Sequence, residues 1–206
     1  MPEDAGPVSK AITLRRSVRR FSPESVDARV IVDLVALACA APAPHHSRPW
    51  RFAHVATTEA RDRLADAMSE SWRADLEAEE RPVQEVARLL ERSRAQVTDA
   101  PLLLLACLAP GGAKPWPDEE RRRGERDMFV QSLGAALQNI LLAAVERGLA
   151  GYLKGAPLFC VQAVREALRL PDDWEPTFLV LLGYAAPGFT PPPRDGIDVM
   201  QFMVER

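Results

Sequence analysis

Two short, almost uninterrupted apolar runs constrain the fold of this chain more than any other feature. Residues 101–108 read Pro-Leu-Leu-Leu-Leu-Ala-Cys-Leu, and residues 177–184 read Thr-Phe-Leu-Val-Leu-Leu-Gly-Tyr. Runs of this length are typical of strands that are buried on both faces. Between them, residues 127–147 form the longest and most apolar helical pattern, with apolar side chains on more than one face. That helix is therefore either central to the monomer or shared with a partner.

Shorter predicted elements surround these three. Apolar periodicity and turn residues predict helices over residues 8–14, 27–40 and 158–170, short strands over residues 51–56 and 151–154, and a loop over residues 109–124. A highly charged helical pair, residues 59–96, has Thr57 or Thr58 as its cap and Pro82 in the first turn of its second helix. Val83, Val86, Leu89, Leu90 and Val97 are predicted to face inward. We interpret the pair as a lid or peripheral excursion.

Length and charge narrow the class of protein. A chain of 206 residues fits a single domain, residues 1–206, and its net charge of −3 argues against a general nucleic-acid binder. Cys39, Cys107 and Cys160 lie far apart in apolar stretches, as buried thiols in a reducing compartment do. Residues 1–7 do not resemble a signal peptide, and the runs 101–110 and 133–145 are too short or too interrupted by polar residues to span a bilayer. We expect a cytoplasmic protein with no membrane partner.

Arginines alternate with a serine after the first predicted helix. Residues 15–21 read Arg-Arg-Ser-Val-Arg-Arg-Phe. If the segment is extended, Arg15, Ser17 and Arg19 point to one side, because side chains alternate along an extended chain. Two guanidiniums and a hydroxyl suit a phosphate dianion. The alternative is a solvated basic turn, since surface arginines often cluster.

A proline-rich loop follows the second predicted helix. Residues 41–50 read Ala-Pro-Ala-Pro-His-His-Ser-Arg-Pro-Trp. The adjacent His45 and His46 could bind a metal only with ligands from elsewhere, and no Cys, His or Asp spacing supplies them. The chain also lacks the spacing of a Ser-His-Asp triad, a P-loop and a dinucleotide glycine fingerprint. We expect no metal site.

The loop resembles that of nitroreductase-type proteins, which typically read Ala-Pro-Ser-x-x-Asn-x-Gln-Pro-Trp. Ala41, Pro42, Pro49 and Trp50 match that pattern in spacing. The sequence Ala-Pro-Ala-Pro-His-His-x-Arg-Pro especially resembles that of the C-terminal, FMN-binding domain of the actinobacterial γ-glutamyl ligases, which build the deazaflavin coenzyme. Three further stretches agree, at residues 135–144, 148–155 and 170–184, so that the resemblance runs from about residue 11 to residue 194.

The resemblance implies an α+β, nitroreductase-like fold. It would have a central, mostly antiparallel sheet flanked by helices, in an intertwined homodimer. The helix at residues 127–147 would lie at the interface, and the proline-rich tail, residues 185–206, would extend over the partner. Such an interface should bury well over about 2,000 Å². Two equivalent FMN sites would lie between the subunits.

The resemblance also implies roles for single residues. Arg15 and Ser17 would hold the FMN phosphate, and Arg19 would reach the polar edge of the ring, where a cation stabilises the negative charge of the reduced flavin. Other residues would complete the site: Pro44, His45, His46 and Arg48 from the second subunit, Lys154 and Gly155 on the opposite wall, and Arg194 at the phosphate. Arg16 and Arg20 would face the other way in an extended segment, and we expect them to be ordinary surface or interface charges.

The chain departs from the family pattern at several positions. His46 replaces the usual asparagine and Arg48 the usual glutamine, and Leu153 replaces a tryptophan. His46 contacts either the flavin ring or only its own loop. Lys154 stands where an apolar residue is common; it binds an acidic substrate or the phosphate, or it is a lysine that merely extends to solvent. The tryptophans are expected to serve in core or lid packing.

The implied function is that of an FMN-dependent oxidoreductase. A reduced nicotinamide, NAD(P)H, or a reduced deazaflavin would load FMN and leave, and a small organic electrophile would then take the hydride by a ping-pong mechanism. Nitro compounds, quinones, enones and a dehydro precursor of the deazaflavin coenzyme are the candidate substrates. Glutamate-ligase activity is not expected, because no ligase segment precedes the fold. Two alternatives remain, a non-catalytic FMN- or deazaflavin-binding subunit and a flavin-destroying relative.

Overall fold

The computed structural model describes residues 6–206 and consists of one sheet between two helical layers. Residues 1–5, which carry part of the signal-peptide prediction, lie outside the described residues. The elements follow in the order α1 (Pro7–Leu14), α2 (Arg29–Ala38), β1 (Trp50–His54), α3 (Thr58–Ala78), α4 (Val83–Thr98), β2 (Leu102–Leu108), α5 (Glu119–Glu146), β3 (Ala150–Lys154), α6 (Val161–Leu168) and β4 (Glu175–Gly183). Short 3-10 turns lie at Pro44–His46, Ala156–Phe159 and Val199–Gln201.

The sheet has the strand order β1-β2-β4-β3, and all three of its strand pairs are antiparallel. Trp50 pairs with Leu108 at one end of β1, and Gly151 pairs with Leu182 near the start of β3. This arrangement confirms the α+β fold with an antiparallel central sheet. The two apolar runs that the sequence marked as strands, β2 and β4, are the two central ones.

Helices cover both faces of the sheet, which explains why its central strands are almost wholly apolar. Leu102, Leu104 and Ala106 of β2 pack toward α2 and α5. Leu103 and Leu105 point the other way, into a second core shared with α3 and α6. All seven residues of β2 are buried. A strand with two buried faces has no position left for a polar side chain.

Several predicted boundaries are wrong. Helix α5 begins at Glu119, inside the predicted loop, because Asp118 caps it by accepting the backbone N–H of Arg121 at 2.8 Å. Helix α6 begins at Val161, since residues before it form a 3-10 turn. Val83 is 84% exposed, although its spacing placed it on the inner face of α4. Val83 is the first residue of that helix and lies at its exposed end.

Helix α5 is long and apolar enough, by length and composition alone, to cross a membrane. Half of its most apolar 18-residue window is buried inside the structure. The prediction that residues 133–145 are too short or too interrupted to span a bilayer considered that apolar run alone, whereas the helix that contains it has 28 residues. The core helix of a globular protein passes the same test, and packing against the sheet and α2 accounts for the apolar character of α5.

Candidate functional site

The arginine segment runs along the free edge of β3. Ser17 forms a parallel bridge with Gly151, and the backbone N–H of Val18 donates to the Gly151 carbonyl at 3.2 Å. Val18 is buried, whereas Ser17 and Arg19 are exposed. The segment is therefore extended at Ser17 and Val18, and Ser17 and Arg19 are directed away from the core. Arg20 is exposed as well, so burial does not separate the two sets of arginines that the alternation predicted.

The C-terminal tail returns to the start of the same segment. The guanidinium of Arg194 donates to the carbonyl oxygen of Arg15 at 2.6 Å and to that of Ile12 at 3.4 Å. Both carbonyls belong to the C-terminal end of α1, where a cation is favoured by the helix dipole. The fold thereby brings Arg194 to Arg15, two residues that are 179 positions apart in the sequence.

Arg19 lies over an aromatic ring of β3. Its guanidinium carbon is 5.2 Å from the ring centroid of Tyr152, within the range of a cation–π interaction. The hydroxyl of Tyr152 is buried and has no hydrogen-bond partner. Burial raises the pKa of Tyr152 to about 12, while the charges of Arg19 and Arg92 oppose that rise. The Tyr152 hydroxyl is thus a neutral, unused donor beside Arg19.

Lys154 is not a lysine that extends to solvent. Its side chain is partly buried, and the ammonium donates to Ser93 Oγ at 3.0 Å and to Gln96 Oε1 at 2.8 Å. Burial, together with the positive charges of Arg19 and Arg92, lowers the pKa of Lys154 to about 8. The next residue, Gly155, caps the 3-10 turn that begins at Ala156, and a Cβ at Gly155 would lie 3.2 Å from Phe178 Cε1.

The proline-rich loop adopts an unusual backbone. Three of its non-glycine residues have positive φ, with 53° at His45, 55° at His46 and 48° at Arg48. Such conformations cost free energy and are concentrated at functional sites. Pro44 starts the 3-10 turn, and the buried hydroxyl of Ser47 has no hydrogen-bond partner. The loop therefore holds both backbone strain and an unused polar atom.

The predicted site residues fall into two separate groups within one chain. Arg15, Ser17, Arg19, Lys154, Gly155 and Arg194 lie on or beside β3, whereas Pro44, His45, His46 and Arg48 precede β1. β1 and β3 are the two opposite edge strands of the sheet. Trp50 of β1 pairs with Leu108 of β2, whereas Gly151 of β3 pairs with Leu182 of β4, which in turn pairs with Leu102 of β2. The arginine segment and the loop thus lie at diagonal corners of the sheet, Lys154 lies nearer its middle, and a single chain does not bring the two groups together.

Sequence reasoning missed the contribution of α4. Ser93 and Gln96 both accept hydrogen bonds from Lys154, and they stand three residues apart on one helical face. Ser93 continues the row of buried residues Val86 and Leu90, and Val97 follows it. A serine within an apolar row is the signal that could have marked this contact.

A cavity of about 640 Å³ opens beside Lys154, beneath α3 and α4. Lys154 and Ser93 line one part of it, and the other lining residues include Met68, Trp72, Asp75, Phe159 and Cys160. Residues of α3, together with Ser93 of α4, thus line this pocket, and the interpretation of the helical pair as a lid stays a prediction. Among residues 6–206, no cluster of three or more His, Cys, Asp or Glu side chains is arranged to hold a metal ion.

Comparison with known sequences identifies one family. The model of the nitroreductase family matches residues 12–184. Iodotyrosine deiodinase of Danio rerio is 28% identical over 196 residues, which cover 94% of this chain but only 65% of that protein. The nitroreductase-like protein YfhC of Bacillus subtilis is 26% identical over 84% of this chain and 81% of its own length.

Comparison with solved structures agrees in fold. A nitroreductase-like family protein from Bacillus cereus superposes with a TM-score of 0.75 at 21% identity, over 100% of this chain and 98% of that one. The FMN-dependent nitroreductase NfnB of Mycobacterium smegmatis, solved with NADPH, gives a TM-score of 0.71 at 20% identity, over 97% of this chain and 98% of that one.

Proposed function

The chain belongs to the nitroreductase family, and from that premise we propose that it is an FMN-dependent oxidoreductase that reduces a small organic electrophile. NAD(P)H is the proposed electron donor, because NfnB was solved with NADPH. The named specificities of the relatives, such as iodotyrosine deiodination, do not transfer directly, since this chain spans about two thirds of that relative. A cytoplasmic location remains a prediction.

One observation carries the proposal. Four cationic side chains, those of Arg15, Arg19, Lys154 and Arg194, lie along one edge of the sheet, and within residues 6–206 none of them forms an ion pair with a carboxylate. Like charges that the fold gathers in one place without counter-charges favour an anionic ligand. The phosphate of FMN would provide that charge for Arg15 and Arg194, and the electron-rich reduced ring would provide it for Arg19.

The residues present fit this cofactor. Arg15 and Arg194 would bind the phosphate with the hydroxyl of Ser17, and Arg19 would stand at the polar edge of the ring. The unpartnered hydroxyl of Tyr152 offers one more hydrogen-bonding group, and that of Ser47 would offer another from the loop of a second subunit. When bound, FMN would supply two-electron, hydride-transfer chemistry in a ping-pong sequence. The protein's own part is to bind, to orient and to place positive charge near the ring.

The loop group would complete the site from a second subunit. Pro44, His45, His46 and Arg48 lie at the far corner of the sheet from the cations, so a homodimer is the arrangement that joins the two groups. Exposed apolar side chains on α1, α2 and α5, including Val8, Leu14, Val32 and Met128, support such an interface.

The substrate proposal follows the resemblance to the γ-glutamyl ligase domain. A deazaflavin precursor is the first candidate, and a reduced deazaflavin is an alternative donor to NAD(P)H. Nitro compounds, quinones and enones are the general class in which to search.

Purification tests the cofactor directly. We expect a yellow protein with a flavin absorption spectrum, and we expect the double variant Arg15→Ala/Arg19→Ala to bind FMN about 100-fold more weakly or worse, because two charge-assisted contacts are lost. The matched control is Arg16→Ala/Arg20→Ala, which removes the same charge from the alternate positions and should keep the colour. A colourless wild-type protein that does not bind added FMN would refute the proposal.

A further inference from the structure

We infer that the cavity beneath α3 and α4 binds an organic acid with a single carboxylate, which Lys154 holds from the end of β3. The inference rests on the proposed function, since it names the class of electrophile that the enzyme reduces. Lys154 stands where an apolar residue is common in the family, and we attribute this difference to the choice of substrate.

The ammonium of Lys154 retains one free donor. A lysine has three N–H groups, and Ser93 and Gln96 accept from it at 3.0 and 2.8 Å. No carboxylate within residues 6–206 forms an ion pair with it. A buried charge without a counter-charge is costly, and a ligand carboxylate would relieve that cost. The two α4 contacts also fix the position of the ammonium before the ligand arrives.

The position of Lys154 separates it from the phosphate contacts. Ser17 pairs with Gly151, and Lys154 lies three residues farther along β3. At the rise of an extended strand this is about 10 Å. The anion that Lys154 recognises is therefore a different group from the one that Arg15, Ser17 and Arg194 are proposed to hold.

The remainder of the cavity suits an apolar, flat body. Met68, Trp72 and Phe159 line it, and Phe159 is 83% exposed. An aromatic side chain left this open costs little to cover with a second aromatic ring, and stacking adds to the burial of area. The volume of about 640 Å³ is that of an ordinary small-molecule pocket.

The cavity is also lined by acidic groups that lie farther along α3 than the level of Lys154. Arg94, the neighbour of Ser93, pairs with Asp66, and Asp75 follows Asp66 by nine residues, which is about 13 Å of helix. Asp75 and Glu79 both line the cavity, and Glu79 is paired with Arg81 at 2.8 Å. Asp75 forms no ion pair with any residue of the described range 6–206, and it would repel a second carboxylate on the ligand. The cavity thus selects an acid with its charge at one end, and it disfavours acids charged at both ends.

A pair of acceptors with matched shape tests the inference. With NADPH as donor, 4-nitrobenzoate and 4-nitrobenzamide differ in charge but little in size. We expect wild-type protein to prefer 4-nitrobenzoate in kcat/KM, and Lys154→Met to lower the ratio of the two values by about 10- to 100-fold, the loss expected for a charged hydrogen bond. Lys154→Arg should keep most of the preference. Arg88→Met, an exposed change of equal charge on α4, should keep the wild-type ratio.

The outcomes separate this inference from the proposed function. A wild-type enzyme that does not prefer 4-nitrobenzoate, or an unchanged ratio in Lys154→Met, overturns the inference. If the protein neither binds FMN nor turns over, the proposed function fails, and equilibrium dialysis then decides the anion site by itself. Binding of 4-nitrobenzoate but not 4-nitrobenzamide, lost in Lys154→Met, supports the site; equal retention by both proteins, or none, overturns it.

Discussion

At the scale of single residues, Lys154 is a cation held in a setting that disfavours its charge. Its pKa lies at about 8, below the ordinary lysine value of 10.5, because of burial and the neighbouring charges of Arg19 and Arg92. Across the cavity, burial raises the pKa of the Cys160 thiol. Asp75 and Glu79 are the other charged groups that face the same space. Lys154 is therefore the group whose charge changes just above neutral pH.

The affinity for an organic acid should follow that change. Below about pH 8 the ammonium is charged and attracts a carboxylate, and above it the neutral amine does not. We expect kcat/KM for 4-nitrobenzoate to fall as the pH rises through about 8, with a much flatter profile for 4-nitrobenzamide. The measurement is a pH series from 6 to 10 (roughly two units on each side, over which the free-enzyme group titrates). A fall of equal size for both acceptors would contradict the assignment to Lys154.

Which residues the sequence could identify depended on whether a local pattern carried them. Arg15, Ser17 and Arg19 alternate along one short segment, so an extended backbone was enough to place Ser17 and Arg19 outward. The partners of Lys154 could not be foreseen in this way, because Ser93 lies 61 positions away and meets it only after α4 folds over β3. The stacking of Arg19 on Tyr152 likewise depends on the pairing of Ser17 with Gly151, which no local pattern records.

At the scale of secondary-structure elements, Gly151 determines how closely β3 and its neighbours approach. A Cβ at this position would lie 2.6 Å from the carbonyl oxygen of Leu181 and would overlap the side chain of Leu182. We expect Gly151→Ala to lower the free energy of unfolding by about 1–3 kcal/mol, because the backbone of β4 must move. Urea denaturation of the cofactor-free protein measures the change.

Gly134 provides the matched control for that substitution. It lies inside α5, and a Cβ there would meet nothing within 4 Å. Gly134→Ala should therefore raise stability by about 0.5–1 kcal/mol, the usual gain from replacing glycine within a helix. Equal and small effects at both positions would show that β3 and β4 adjust easily to a side chain between them.

The sequence predicted which helices and strands form better than it predicted the residues at which they begin and end. Strands β2 and β4 and the core of α5 are long apolar patterns, and burial on both faces leaves no ambiguity in them. The start of α5 was missed because residues 119–126 carry charges on all sides and no apolar row, so that only the cap at Asp118 reveals the helix. The start of α6 was missed because Pro157 and its neighbours fold into a 3-10 turn with the same apolar composition as the helix.

At the scale of the whole molecule, the C-terminal tail, residues 185–206, does not pack into a hydrophobic core. Six apolar side chains near its end are more than half exposed: Ile197, Val199, Met200, Phe202, Met203 and Val204. Together with the exposed apolar residues of α1 and α2, they form surface that a second chain would bury. The intertwined homodimer remains a prediction that this surface supports.

Light scattering tests the assembly. We expect the full-length protein to form a dimer, whose mass is twice the 22.7 kDa of one chain. Deletion of residues 196–206 should shift the mass toward that of one chain, because the apolar tail is removed, whereas deletion of residues 205–206 alone should leave the dimer intact. A full-length protein that is stable at 22.7 kDa would refute the shared site.

The diagonal placement of the arginine group and the loop group would also decide how damaged copies of the gene behave together. In a cell with one copy altered at Arg15 and Arg19 and another altered at His46 and Arg48, a mixed dimer would collect both defects in one of its sites. Its other site would then be built wholly from undamaged parts. Two alleles that are each inactive alone would restore activity to one another, whereas two alleles damaged at the same corner would not.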